Sequence, residues 1–232
     1  MQRRFVFENI LNCRDLGGYP SKYGVTQFGR FLRGGIVHFP NEDEIKVLEA
    51  YGLKTAIDLR GDFEFADMNP HLERVSGCEA MHISLYEANV ANADGDGKNL
   101  SEIYHMIADK NRNSIKTVLD AIAGADEGPL MYHCYFGKDR TGILTLLLLT
   151  VAGVSEEDII ADYQVTYTYI KKYVEENSDT LWSKDRTMHY SLPETMESLI
   201  EHMKTQYGSV TDYIKSTGIS EENIEKIRRR FF

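Results

Sequence analysis

An α/β fold is predicted, with a central, largely parallel sheet flanked by helices and a helical C-terminal part. Three observations predict it. Short apolar strands alternate with helices that carry their own caps. Two strands, Leu53–Leu59 and Pro129–His133, run straight into polar, chemistry-bearing residues. Beyond residue 155 the capping signals mark one helix after another.

The elements follow in order. Gly17-Gly18 and Gly34-Gly35 punctuate an N-terminal region of short strands and turns. Asn41 starts a helix with Glu44 as its capping-box partner, and Gly52 ends it as a left-handed cap. Leu53–Leu59 reads as a strand ending at Arg60, and His82–Leu85 as another short strand. Ala88–Asn99 is a polar loop. Helices are expected over Ser101–Ala108 and Ser114–Ala123. The strand Pro129–His133 leads through a glycine-bearing turn into an apolar helix that reaches Thr150. Ser155, with Asp158, caps a helix running to about Glu175. Asn177–Leu192 is irregular and holds the single tryptophan, Trp182. Pro193 opens the next helix and Gly208 closes it. Two short helices finish the chain, the last capped by Ser220.

Composition narrows the function classes. The 232 residues suit one domain over 1–232 with a real core. A net charge of −10 disfavours non-specific attachment to nucleic acid or anionic membrane. The apolar stretch Ile143–Val154 is too short to span a bilayer. The first residues show no signal-peptide pattern, so a cytoplasmic protein is expected, with leaderless export leaving no mark. Cys13, Cys78 and Cys134 form neither a disulfide framework nor a zinc pattern, which fits a reducing compartment. The histidines show no metal-ligand spacing, and Asp94–Asn99 lacks the ligands of a calcium loop. No cofactor or metal is expected, and monomer is the default.

The chemistry concentrates in His133-Cys134-Tyr135-Phe136-Gly137-Lys138-Asp139-Arg140-Thr141-Gly142. Five residues separate Cys134 from Arg140. A strand, a tight loop and a helix N-terminus in succession can turn backbone N–H groups into an anion nest. Arg140 can give two parallel hydrogen bonds to phosphate oxygens. Gly137 and Gly142 remove side chains where the backbone crowds the ligand or turns sharply. Cationic neighbours and the helix terminus favour a thiolate nucleophile at such a position. Thr141 can donate its hydroxyl to the sulfur. His133 orients the loop or is a core histidine. The expected substrate-binding set is Tyr135, Phe136, Gly137, Lys138, Thr141 and Gly142, with phosphate or sulfate as natural occupants. CxxxxxR alone is a weak pattern. The strand before it, the glycines and the apolar helix after it make it specific.

This segment resembles the signature loop of the protein tyrosine phosphatase superfamily, and more narrowly the HCxxGKDRTG loop of its atypical bacterial family. Asn12–Tyr19 resembles that family's N-x-R-D-L-G-G-Y segment, and Ile57-Asp58-Leu59-Arg60, with Glu64 nearby, its D-L-R strand end. Asp162-Tyr163 and Tyr169 sit where the family has a comparable helix. The likeness spans about residues 9–170, and residues beyond about 176 add nothing to it.

The resemblance implies a phosphomonoester hydrolase that carries phosphate on Cys134 while Arg140 and the loop amides stabilise the equatorial oxygens. It implies phosphoprotein or phosphoinositide substrates and no metal. No W-P-D tripeptide is present, so the resemblance points to Asp139 as general acid. Asp58 competes for that role. Otherwise Asp139 caps the helix and Asp58 orients Arg140 or Arg60. Lys138 is a second cation beside Arg140, suited to polyanionic substrates, or a solvated surface lysine. A thiol-based oxyanion enzyme such as an arsenate reductase, or a phosphate-binding module without turnover, is the alternative reading.

Overall fold

The computed structural model describes residues 2–85, 99–179, 181 and 185–232. The sheet is built from β1 (Ile10–Asp15), β4 (Phe31–Ile36), β5 (Thr55–Asp58), β6 (Glu79–His82) and β7 (Leu130–Cys134), in the order β1-β4-β7-β5-β6. A two-stranded ribbon, β2 (Pro20–Ser21) and β3 (Gly24–Val25), stands apart. Within the sheet β1 pairs antiparallel with β4 and the other pairings are parallel, whereas the β2–β3 ribbon is antiparallel. The architecture is therefore α/β with a mostly parallel sheet, as the alternation of elements predicts.

Alternation along the strands feeds two apolar layers. Phe31, Ile57, Leu130, Tyr132 and Cys134 face a large core shared with the later helices. Leu32, Ala56 and Met131 face a second core with Ile45 and Leu48 of α1 (Glu42–Tyr51). On the first side lie α3 (Leu100–Lys110), α4 (Arg112–Gly124) and α5 (Asp139–Val151). They are joined there by α6 (Glu156–Glu176), α7 (Pro193–Tyr207), α8 (Val210–Ser216) and α9 (Glu221–Arg230). Helix α5 is buried nearly all round, which its run Ile143–Leu149 requires.

Helix boundaries largely follow the caps. Asn41 and Glu44 form the capping box of α1, and Gly52 ends that helix at φ 83°. Ser155 and Ser220 accept first-turn amide hydrogens in α6 and α9. Pro193 and Gly208 bound α7 as expected. Three local expectations need correction. The predicted strand His82–Leu85 lies earlier, at Glu79–His82, where Ala80 and Met81 pair with Ala56 and Ile57. A short helix, α2 (Asp62–Asp67), follows β5 unannounced. Gly34-Gly35 is not a turn but the end of a buried central strand. A Cβ on Gly35 would stand 2.2 Å from the Phe136 carbonyl carbon and 2.4 Å from the Gly137 nitrogen. The glycine is there so that the loop after β7 can lie on the strand. The polar stretch from Ala88, the rejected calcium-like run from Asp94 to Lys98, and Trp182 lie outside the described residues.

Register brings the strand ends together. Gly35 pairs with Cys134, and Asp58 with His133, so β4, β5 and β7 finish at one edge. A buried charge cluster sits beneath that edge. Asp162 of α6 accepts from Arg14 Nε at 2.8 Å and from Arg33 Nη1 at 2.6 Å. Tyr19 donates its hydroxyl to the same carboxylate at 2.9 Å. Burial opposes a charged Asp162, but the two guanidinium groups outweigh it and hold its carboxyl far below the ordinary range.

The contribution of Asp162 is therefore present at neutral pH, and it fades as pH falls below the ordinary carboxylate range towards the folded value. Asp162→Asn should lower the free energy of unfolding at pH 7 by about 3–5 kcal/mol, because it strands two buried cations. Urea denaturation measures it. A loss below about 1 kcal/mol would show the cluster to be energetically idle.

Candidate active site

Cys134 is the last residue of β7 and is 1% exposed. Its sulfur accepts a hydrogen bond from Thr141 Oγ1 at 3.1 Å. Helix α5 begins two residues after Gly137, and no side chain caps its N-terminus. First-turn amides of a helix have no intrahelical acceptor, so an uncapped start offers its N–H groups and positive dipole end to an anion.

The loop's carbonyls are pulled the other way. Asn12 Nδ2 donates to the Gly137 carbonyl at 2.8 Å and to that of Phe136 at 3.3 Å. Arg33 Nη2 donates to the Gly137 carbonyl at 2.7 Å. Asn12 reaches inward because β1 carries an irregularity between Leu11 and Arg14, where Asn12 takes φ 56°. Asparagine tolerates that left-handed backbone better than most residues. Gly137 itself has φ 65°, and a Cβ there would meet the Gly34 carbonyl carbon at 2.4 Å. A side chain is thus excluded both by backbone strain and by contact.

Arg140, Arg60 and Lys138 each have a carboxylate partner. Arg140 bonds both oxygens of Glu64, with Nη2 to Oε1 at 3.0 Å and Nη1 to Oε2. Burial works against charge on Glu64, but the Arg140 fork outweighs it and keeps the carboxyl below its ordinary value. Arg60 holds Asp58 through its backbone N at 3.0 Å, Nε at 3.0 Å and Nη2 at 2.6 Å. Lys138 is 1% exposed, and its ammonium donates to the carbonyls of Met188 and Tyr190 and pairs with Asp139 Oδ1 at 3.1 Å. It fastens the 3-10 turn Arg186–His189 against the loop instead of reaching the rim.

The two carboxylates considered for proton transfer differ in setting. Asp58 is 3% exposed, with both oxygens taken by Arg60. Burial disfavours its charge, but the His133 ring and Arg60 more than offset this and hold its carboxyl below the ordinary range. Asp139 keeps a side chain 24% exposed and accepts the Tyr104 hydroxyl at 2.9 Å. It is the first residue of α5, and the N-cap position falls on Lys138. His133 is fully buried, with Nδ1 3.8 Å from Asp58 Oδ1 and 3.4 Å from the Cys134 carbonyl oxygen. Burial first, despite Asp58, pulls its imidazole below the usual histidine value. Among the described residues no cluster of three or more His, Cys, Asp or Glu is arranged to hold a metal ion.

The profile of the tyrosine phosphatase family matches residues 5–232. The chain belongs to that family, a family of phosphatase hydrolases. A tyrosine-protein phosphatase of Nostoc commune is 27% identical over 201 residues, covering 79% of this chain and 67% of its own length. The triple specificity protein phosphatase PtpB of Mycobacterium tuberculosis is 28% identical over 117 residues, or 43% of this chain and 42% of its own. This chain thus spans about two thirds of the first relative and under half of the second. The solved structure of Pseudomonas aeruginosa TpbA aligns with a TM-score of 0.40 at 14% identity, over 70% of this chain and 84% of that one, too distant to add to the argument.

Several residues of the site carry no local sequence signal. In the sequence Glu64 reads only as a neighbour of the D-L-R strand end, yet it is the residue that grips Arg140. Asn12 and Arg33 shape the loop from β1 and β4, and no spacing rule links them to Cys134. Tyr104 touches Asp139 across 35 residues of sequence.

Gly137→Ala should displace the loop and cut kcat/KM on an aryl phosphate by about a hundredfold, since a misplacement near 1 Å costs that much. Steady-state kinetics, with circular dichroism to confirm folding, checks it. Activity within twofold of wild type would mean that the tight seat on Gly34 is not required.

Proposed function

We propose that this chain hydrolyses phosphomonoesters, aryl phosphates such as phosphotyrosine foremost, through a phosphocysteine on Cys134. The observation that carries the reading is the thiol itself. It sits at a strand end, bonded by Thr141, in front of an uncapped helix terminus, with Arg140 steadied by Glu64.

In the first step Cys134 Sγ attacks phosphorus. The S–P bond forms as the P–O bond to the leaving group breaks, and the loop amides and Arg140 take up the equatorial charge. Asp139 gives its proton to the departing oxygen. In the second step water attacks phosphorus, its proton passes to Asp139, and the sulfur leaves. Thr141, already donating to that sulfur, stabilises the departing thiolate. Asp139 is favoured over Asp58 as the acid because it is part exposed at the loop, whereas Asp58 is committed to Arg60.

The proposal extends to phosphoserine and phosphothreonine, and the triple specificity in the mycobacterial relative's name supports a range wider than one phosphoresidue. The argument for polyanionic lipids from Lys138 falls away, because that ammonium is spent on Met188, Tyr190 and Asp139. A thiol-based arsenate reductase is disfavoured by the other cysteines. Cys13 packs in the core on the opposite side of the sheet, and burial pushes the Cys78 thiol up to about 11.

Cys134→Ser should abolish phosphate release from p-nitrophenyl phosphate and retain phosphate binding by calorimetry, since amides and Arg140 remain. Turnover near the wild-type rate would remove Cys134 as nucleophile.

A further inference from the structure

Helix α3 contributes a buried phenol to the loop that no sequence motif marks. Tyr104 is fully buried, and its hydroxyl donates to Asp139 Oδ1 at 2.9 Å. Behind it stands Tyr163 of α6, with the two hydroxyl oxygens 2.8 Å apart and the rings edge-on at 5.9 Å. The same Oδ1 receives Lys138 Nζ at 3.1 Å. Both contacts named fall on one carboxylate oxygen, and no hydrogen bond reaches Oδ2 among the described residues.

We propose that Tyr104 is a positioning residue for proton transfer: it fixes Asp139 through Oδ1 and leaves Oδ2 as the oxygen that delivers the proton. The inference rests on the reading of Asp139 as general acid. In the first step the Oδ2–H bond breaks and an O–H bond forms on the leaving group. Oδ1 stays a hydrogen-bond acceptor throughout, so Tyr104 and Lys138 hold the carboxyl in one orientation before and after transfer.

The alternative that Tyr104 is itself the acid is disfavoured. Burial, then the Asp139 charge, raise its phenol well above the ordinary tyrosine value. Tyr163 is raised likewise, by burial first. Both phenols therefore stay protonated, and the pair acts as a fixed donor. The ionisable groups that bear on Asp139 are Lys138 and Arg140 on its own segment, Tyr104 from α3 and Tyr163 from α6.

Removing the Tyr104 donor loosens the orientation of the carboxyl. Substrates with poor leaving groups need the proton most and lose most from misorientation.

The test compares Tyr104→Phe, Asp139→Asn and the double variant on phenyl phosphate and p-nitrophenyl phosphate across pH. Tyr104→Phe should lower kcat on phenyl phosphate about tenfold, with under threefold loss on p-nitrophenyl phosphate. Asp139→Asn should abolish the alkaline limb, and adding Tyr104→Phe to it should cost little more. Equal losses on both substrates would make Tyr104 a packing residue and overturn the inference while Asp139 stands. A limb that survives Asp139→Asn would overturn the acid reading, and the inference with it. Should Tyr104→Phe fail to fold, Tyr163→Phe must lower kcat on phenyl phosphate more than on p-nitrophenyl phosphate, by a smaller factor, and equal losses there also overturn it.

Discussion

The Asp162 carboxylate is the fixed point on which the site depends. It sits on α6 and binds Arg14 of β1 and Arg33 of β4 in the interior. Through Arg33 it reaches the Gly137 carbonyl, and through Arg14 it reaches Asn12, which holds the same carbonyl. Buried ion pairs of this kind are weak sources of net stability, because desolvation cancels much of their attraction. Their effect here is geometric. They hold the Gly137 carbonyl, and through Asn12 that of Phe136, in fixed hydrogen bonds. A hydrophobic replacement of the cluster could keep the fold and still lose the loop's shape.

The same economy recurs around the loop. Glu64 partners Arg140, Asp58 partners Arg60, and Asp139 partners Lys138. A net charge of −10 is compatible with the proposed phosphate site, because field near a contact is set by local groups and not by the total. Glu64 takes a bidentate grip on Arg140, which orients the guanidinium. On the proposed mechanism, such preorganisation lowers the barrier without a further ordering cost at the moment of reaction.

Much of this was legible in the sequence, and the rest was not for definable reasons. The strand leading to Cys134, the apolar helix after it and the capped helices carry local signals, and the structure follows them. Gly34-Gly35 misled because two glycines signal a turn locally, whereas here they clear space for a loop a hundred residues away. Helix α2 has six residues and none buried, so it leaves no apolar period to read. Lys138 reads as a second substrate cation, but a 3-10 turn some fifty residues on supplies the carbonyls that claim it. Asn12, Arg33, Glu64 and Tyr104 act across long sequence separations, and only the folded register brings them to the loop.

The central claim is that phosphate passes through a covalent bond to Cys134. Rapid acid quench of the enzyme during turnover of p-nitrophenyl phosphate, followed by mass spectrometry of its peptides, tests it directly. The account predicts a phosphoryl adduct on the peptide containing Cys134, formed within the first turnover and absent from Cys134→Ser. A reactive enzyme with no adduct, or with the adduct on another residue such as His133, would contradict it.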